Sequence, residues 1–63
     1  MTPDDAQRLL AHAVGLGLSA IIEDAGNEGA IVRIWPTAGA VLTLAADTSP
    51  VRYLLGHVAQ IAE

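Results

Sequence analysis

The middle of the chain changes its hydropathy period, and this change constrains the fold more than any other feature of the sequence. Residues 18–46 alternate between apolar and other side chains in three short runs, at 18–24, 30–35 and 40–46. The runs are separated by the breaker segments AGNEG and PTAG. A period of two predicts strands, and these connections are too short for a crossover helix. We therefore predict three antiparallel strands joined by two hairpins.

The segment before the strands has the signals of a helix over residues 3–14. It begins with Thr2 as a hydroxyl cap, a proline at the first helical position, and two aspartates in the first turn. Gly15 and Gly17 supply the end of the helix. The predicted apolar stripe contains Ala6, Leu9, Leu10, Ala13 and Val14.

A second helix is predicted from Ser49 to near residue 63, with Ser49 or Asp47 as its cap. Its predicted inward stripe contains Val51, Leu54, Leu55, Val58, Ala59 and Ile61 or Ala62. Gly56 interrupts this helix, and close approach to another backbone would compensate for its low helix propensity.

These elements define an α+β fold with the order α-β-β-β-α, in which a three-stranded antiparallel sheet carries two helices packed on one face. Residues 1–63 are predicted to form a single small domain. The even-numbered strand residues are the more uniformly apolar set, so we expect them to face the helices. The odd-numbered set then faces outward.

The predicted outward set is too apolar for an ordinary solvated sheet face. It places Ile21, Ile31, Trp35 and Val41 around Arg33, and contiguous apolar patches of this kind mark contact sites. We predict that these five residues form a protein-contact face. On that face the Arg33 guanidinium is within reach of the Trp35 indole and of Glu23 on the neighbouring strand. The alternatives are a misassigned strand period or a face that a chain terminus covers.

The composition favours association with another chain. Apolar residues make up 52% of the sequence, yet phenylalanine and cysteine are absent. A chain of this size buries only ~60% of the surface that its unfolded form exposes. Since no disulfide can stabilise it, a second protein chain is the remaining common way to complete the burial. We therefore expect a homo-oligomer, a protein partner, or both.

The charge disfavours polyanionic partners. The net charge is −4, there is no lysine, and the three arginines are far apart in sequence. Nucleic-acid binding normally begins from a basic stripe, so we expect no nucleic-acid partner. The one long apolar run is too short to span a bilayer and lacks the features of a signal peptide. We expect no membrane association and a cytoplasmic location.

No residue pattern indicates catalysis, a metal site or a cofactor. His12 and His57 lie on the polar sides of the two helices, and neither belongs to a ligand motif. The segment EDAGNEG collects Glu23, Asp24 and Glu28 into an acidic cluster, but its spacing is not that of a calcium loop. We interpret these residues as a hairpin turn that concentrates negative charge at one end of the sheet.

The element order resembles that of double-stranded-RNA-binding domains, and the resemblance is confined to this order. That family uses a basic start of its second helix and a loop that carries proline and histidine. Here the second helix begins Ser49-Pro50-Val51-Arg52, so no functional residue of the family is carried over. The resemblance implies a nucleic-acid-binding module as an alternative function.

These observations predict a small acidic protein-interaction module that is not an enzyme and acts by stoichiometric binding. By analogy, such proteins include viral and bacterial inhibitors and regulators. A second alternative is a small-molecule site formed across a dimer, where Arg52, Tyr53 and His57 of two chains meet.

Overall fold

The protein is described from a computed structural model that covers residues 1–62; the side chains of Glu28 and Ala62 are outside the description. The elements are α1 (Pro3–Gly15), β1 (Ser19–Asp24), a 3-10 turn (Gly26–Glu28), β2 (Ala30–Thr37), β3 (Ala40–Leu44) and α2 (Ser49–Ala62). The strands form one antiparallel sheet in the order β1-β2-β3. The predicted α+β fold with the order α-β-β-β-α is confirmed.

Helix α1 begins as predicted but buries a narrower face. The amide of Asp5 donates a hydrogen bond to Thr2 Oγ1 at 3.2 Å, so Thr2 is the cap. The buried side chains of α1 are those of Ala6, Leu9 and Ala13. Leu10 is only half-buried and Val14 is exposed. Successive residues are rotated by about 100° around the helix axis. The Val14 side chain therefore points well away from the side of α1 that packs on the sheet.

The end of α1 turns the chain directly into β1. Gly17 has a positive φ of 85°, the left-handed conformation that glycine adopts without strain. The amide of Leu18 donates to the carbonyl of Ala13, and that of Gly17 donates to the carbonyl of Val14, both at 3.0 Å. This pair of bonds is a Schellman motif. It brings Leu18 back into the core, where both Leu18 and Ala13 are buried.

Helix α2 begins without either of the predicted caps. The carbonyl of Thr48 accepts a hydrogen bond from the amide of Arg52 at 3.0 Å, which is the first bond of the helix. Thr48 therefore occupies the cap position that was predicted for Ser49 or Asp47. The Asp47 carboxylate instead binds the side chain of Arg52.

Helix α2 also exposes part of its predicted inward stripe. Leu55 and Ala59 are buried, but Leu54 is 42% exposed and Ile61 is 71% exposed. The reason is the placement of the helices: α1 packs on β1 and β2, while α2 packs on β2 and α1. The apolar arc of α2 is wider than the surface that these neighbours offer. The predicted close approach at Gly56 is not found within residues 1–62, because a Cβ at that position would meet no described atom within 4 Å outside the helix's own backbone.

The predicted inward face of the sheet is correct. Val32 and Ile34 of the central strand are fully buried beneath the helices. Ile22, Leu42 and Leu44 lie on the same face and pack against this core, but they are only half-buried. Coverage is therefore complete over the centre of β2 and incomplete over β1 and β3.

Strand β2 runs two residues beyond its predicted end at Trp35. Ile34 is opposite Leu42, but Thr37 is opposite Ala40, so Trp35 and Pro36 together oppose one residue of β3. This is a β-bulge. It accommodates Pro36, which has no amide hydrogen to give to a regular ladder. The loop residues Ala38 and Gly39 both lack positive φ, so the hairpin turn is of neither primed type.

Strand β3 ends at Leu44, two residues earlier than predicted, and the start of the chain takes its place beside β2. The amide of Ala30 donates to the carbonyl of Met1 at 2.8 Å. The amino nitrogen of Met1 donates to the carbonyl oxygens of Ala30 at 2.9 Å and Ala45 at 3.0 Å. Met1 thus lies beside β2 where the last residues of β3 were predicted to lie.

Candidate protein-contact face

The odd-numbered strand residues share the sheet face opposite the helices. The pairing register places Ile21 opposite Arg33 and Arg33 opposite Thr43. Trp35 is opposite Ser19, and Val41 lies across from the bulge at Trp35. We call the set Ile21, Ile31, Arg33, Trp35 and Val41 the outer face. The five residues predicted for a contact face therefore lie on one side of the sheet.

The outer face exposes aliphatic side chains. Ile21 is 44% exposed and Val41 is 48% exposed, while Ile31 and Trp35 are half-buried. Trp35 is outside the buried core and borders an open hollow of ≈ 430 Å³ that Ser19, Pro36 and Thr37 help to line. The face therefore has a half-buried aromatic residue at one end and exposed aliphatic residues on both outer strands.

An ion pair crosses the middle of the outer face. Arg33 Nε lies 3.0 Å from Glu23 Oε2 on the neighbouring strand, diagonally across the register. The sequence allowed Arg33 to contact Trp35 or Glu23, and the structure shows the contact with Glu23. The N–H direction does not meet the geometry of a hydrogen bond, so within residues 1–62 the buried Nε atom makes none. We treat the contact as an electrostatic one between half-exposed side chains, which contributes little to stability.

Two of the three residues of the acidic cluster make local contacts. Glu23 faces Arg33, and Asp24 Oδ1 accepts a hydrogen bond from the amide of Gly26 at 2.8 Å. The latter bond closes the turn after β1. The side chain of Glu28 lies outside the described residues. Among the side chains that the structure describes, no three potential ligands are grouped to hold a metal ion.

An ion pair with two hydrogen bonds lies at the start of α2. Arg52 Nε donates to Asp47 Oδ1 at 2.9 Å, and Arg52 Nη2 donates to Asp47 Oδ2 at 2.8 Å. These bonds lower the pKa of the Asp47 carboxyl below its ordinary value, and the positive charges of Arg52, Arg8 and His12 act in the same direction against desolvation. The pair connects the loop after β3 to the first turn of α2.

We expect Asp47→Asn to lower the free energy of unfolding at neutral pH. Because the folded pKa of Asp47 is depressed, the pair stabilises the fold above the unfolded value of 3.8 and loses this effect as the pH falls through the folded pKa. Urea midpoints of wild type and variant should differ at neutral pH and converge well below pH 3.8. In an Arg52→Gln background the pH-dependent effect of the substitution should be much smaller, because only the weaker influence of Arg8 and His12 on Asp47 remains. A constant difference at every pH would contradict the assignment.

The three residues considered for a small-molecule site line one cleft. Arg52, Tyr53 and His57 lie on the outer side of α2 with Gly56 and Gln60, around an open space of ≈ 350 Å³. The Arg52 guanidinium is already engaged with Asp47. This cleft is open, and among the described residues that line it no acidic side chain accompanies His57.

Sequence reasoning missed an exposed apolar strip on α2, formed by Leu54 and Ile61. The two residues are seven positions apart and therefore lie on one side of the helix. The available signal was the width of the apolar stripe, which exceeds what one neighbouring strand can cover.

No protein-family model, curated protein or solved structure matches this chain. In residues 1–62, neither helix has the length and apolar character needed to cross a membrane.

Proposed function

We propose that this protein is a non-enzymatic interaction module that binds another protein chain stoichiometrically through its outer face. The observation that supports the proposal most strongly is the uncovered side of the sheet, where Ile21 and Val41 are about half exposed opposite the helices. Covering apolar surface is the main favourable term in protein association. A regulator or inhibitor, viral or bacterial, is the role that fits this mode of action.

The charge of the face supports a protein partner over a nucleic acid. Arg33, the cation at its centre, is paired with Glu23, so the face offers apolar contact area and no excess of positive charge. The chain as a whole carries −4. A phosphate backbone would meet repulsion rather than the counterion release that drives nucleic-acid binding.

The outer face can be made less apolar without changing its charge. We expect the double variant Ile21→Thr, Val41→Thr to bind its partner at least tenfold more weakly, because threonine retains the β-branch but loses aliphatic area. Tenfold corresponds to about 1.4 kcal/mol, or about 55 Å² of apolar surface at roughly 25 cal/mol per Å². Sedimentation velocity of the labelled protein, alone and in an extract of its source cell, measures the association.

Ile61→Thr is the matched control, because it removes an equally apolar and more exposed side chain from α2. It should leave association unchanged. If Ile61→Thr abolishes association and the double variant does not, the contact lies on α2 and the proposal is wrong. Nuclease treatment of the heavier species should not dissociate it, whereas dissociation would favour the nucleic-acid alternative.

A further inference from the structure

We propose that the free edge of β3 pairs with β3 of a second copy, antiparallel about a two-fold axis at Leu42, to form a continuous six-stranded sheet. This interaction uses a strand edge rather than the outer face, so it goes beyond the proposed function. Its consequence for that function is geometric: the two outer faces would join into one surface of twice the width.

The two edges of the sheet differ in how well they are protected against pairing with a strand of another chain. Both β1 and β3 are edge strands. β1 ends in Glu23 and Asp24, and charges on an edge discourage pairing with another chain. β3 has the sequence AVLTL, with no charged residue and no proline. β3 is therefore the edge with no built-in barrier to pairing.

The hydrogen bonds of Ala30 fix which backbone groups of β3 point to the open edge. Ala30 directs its amide and carbonyl toward Met1, away from β1. Backbone groups alternate sides along a strand, so Val32 and Ile34 direct theirs toward β3, where their partners are Leu44 and Leu42. The intervening residues of β3, Val41 and Thr43, must then point their amides and carbonyls outward.

These outward groups match a second copy of the same strand. With the two-fold axis at Leu42, Val41 of one copy is opposite Thr43 of the other, and the reverse pair follows by symmetry. Each pair can exchange two hydrogen bonds. Leu42 is then opposite its own counterpart in a pair without hydrogen bonds, and the full length of β3 is used.

The side chains favour the same register. On the outer face, Val41 would be opposite Thr43, two β-branched residues that pair well across strands. On the inner face, the small Ala40 would be opposite Leu44, and the half-buried Leu42 and Leu44 would gain cover. No charged side chain of β3 opposes the approach of a second copy. Because the backbone groups and side chains of β3 match those of the same strand about the two-fold axis, a second copy is the occupant that we propose for this edge.

The chain contains no cysteine, so one introduced thiol reports the register. Leu42→Cys places two thiols in a pair without hydrogen bonds, with Cα atoms ~4.5 Å apart, which is within disulfide range. Ala40→Cys is the control on the same strand and face, where the symmetry-related positions are about four residues, or ~13 Å, apart. With oxidised glutathione, Leu42→Cys should form a disulfide-linked dimer at least tenfold faster than Ala40→Cys. Equal rates, or no dimer from either variant, would overturn the proposal.

A second pair of variants tests the hydrogen bonds without a thiol. Thr43→Pro removes one outward amide, while Thr43→Ser keeps it. Sedimentation of wild type should show a dimer that Thr43→Pro weakens at least tenfold and Thr43→Ser preserves. A wild-type monomer at all concentrations would overturn the proposal even if Thr43→Pro fails to fold. The single variant Ile21→Thr tests the outer face separately, because Ile21 lies on β1 and takes no part in the proposed pairing of β3.

Discussion

Leu55→Ala should destabilise the fold by about 2–5 kcal/mol, the usual cost of truncating a fully buried leucine. Leu55 is one of the four largest fully buried side chains and the only one of them on α2. A domain of this length has a total stability of only about 3–9 kcal/mol. The substitution therefore removes a large part of the stability, and the attachment of α2 is lost first.

The adjacent Leu54→Ala provides the comparison. Leu54 is on the same helix but largely outside the core, so its truncation should cost less than about 1 kcal/mol. Urea unfolding followed by circular dichroism measures both values, and amide exchange in α2 shows whether that helix opens first. Equal losses for the two variants would mean that α2 does not dock through Leu55.

Gly29→Ala should lower stability by about 2 kcal/mol or more. Gly29 has φ 82° and ψ −139°, a combination that residues with a side chain adopt at a cost of about 1–3 kcal/mol. A Cβ at this position would also lie 2.6 Å from the carbonyl oxygen of Met1. That oxygen belongs to the backbone and accepts a hydrogen bond from the amide of Ala30. A shift of Met1 that relieved the clash would therefore disrupt the start of β2.

Gly26→Ala separates the two causes. Gly26 also has a positive φ, 67°, but among the described atoms a Cβ there would have no contact within 4 Å beyond its chain neighbours. Its cost should be close to 1 kcal/mol, from backbone conformation alone. Thermal or urea unfolding of both variants gives the difference. If Gly26→Ala is as damaging as Gly29→Ala, close packing against Met1 is not what position 29 requires.

The element order could be predicted because its signals are local. The Thr2 cap, the glycine after α1 and the alternation of the strands each act within a few residues. The features that sequence reasoning missed depend on contacts between residues that are far apart in the sequence. β3 ends early where Met1 binds Ala30 and Ala45, and the bulge at Pro36 arises only when β2 must pair on its β3 side.

For the candidate site, too, the local features could be predicted, and the features that depend on packing between distant elements could not. Alternation alone placed Ile21, Arg33 and Val41 on one face, because a period of two leaves no other choice once the inner face is known. The exposure of Leu54 and Ile61 could not be predicted in this way. It depends on how much of α2 the neighbouring elements cover. A sequence pattern indicates where the apolar arc of a helix lies, but not which part of that arc other elements bury.

The proposed contact joins the outer face of the sheet to another protein chain. Its most direct test is the sedimentation comparison of wild type, the Ile21→Thr, Val41→Thr double variant and Ile61→Thr, with folding of each verified by circular dichroism. We predict that in the extract wild type and Ile61→Thr sediment as the same heavier species, while the double variant shifts toward the species that it forms alone. Three identical profiles from three folded proteins would contradict the claim.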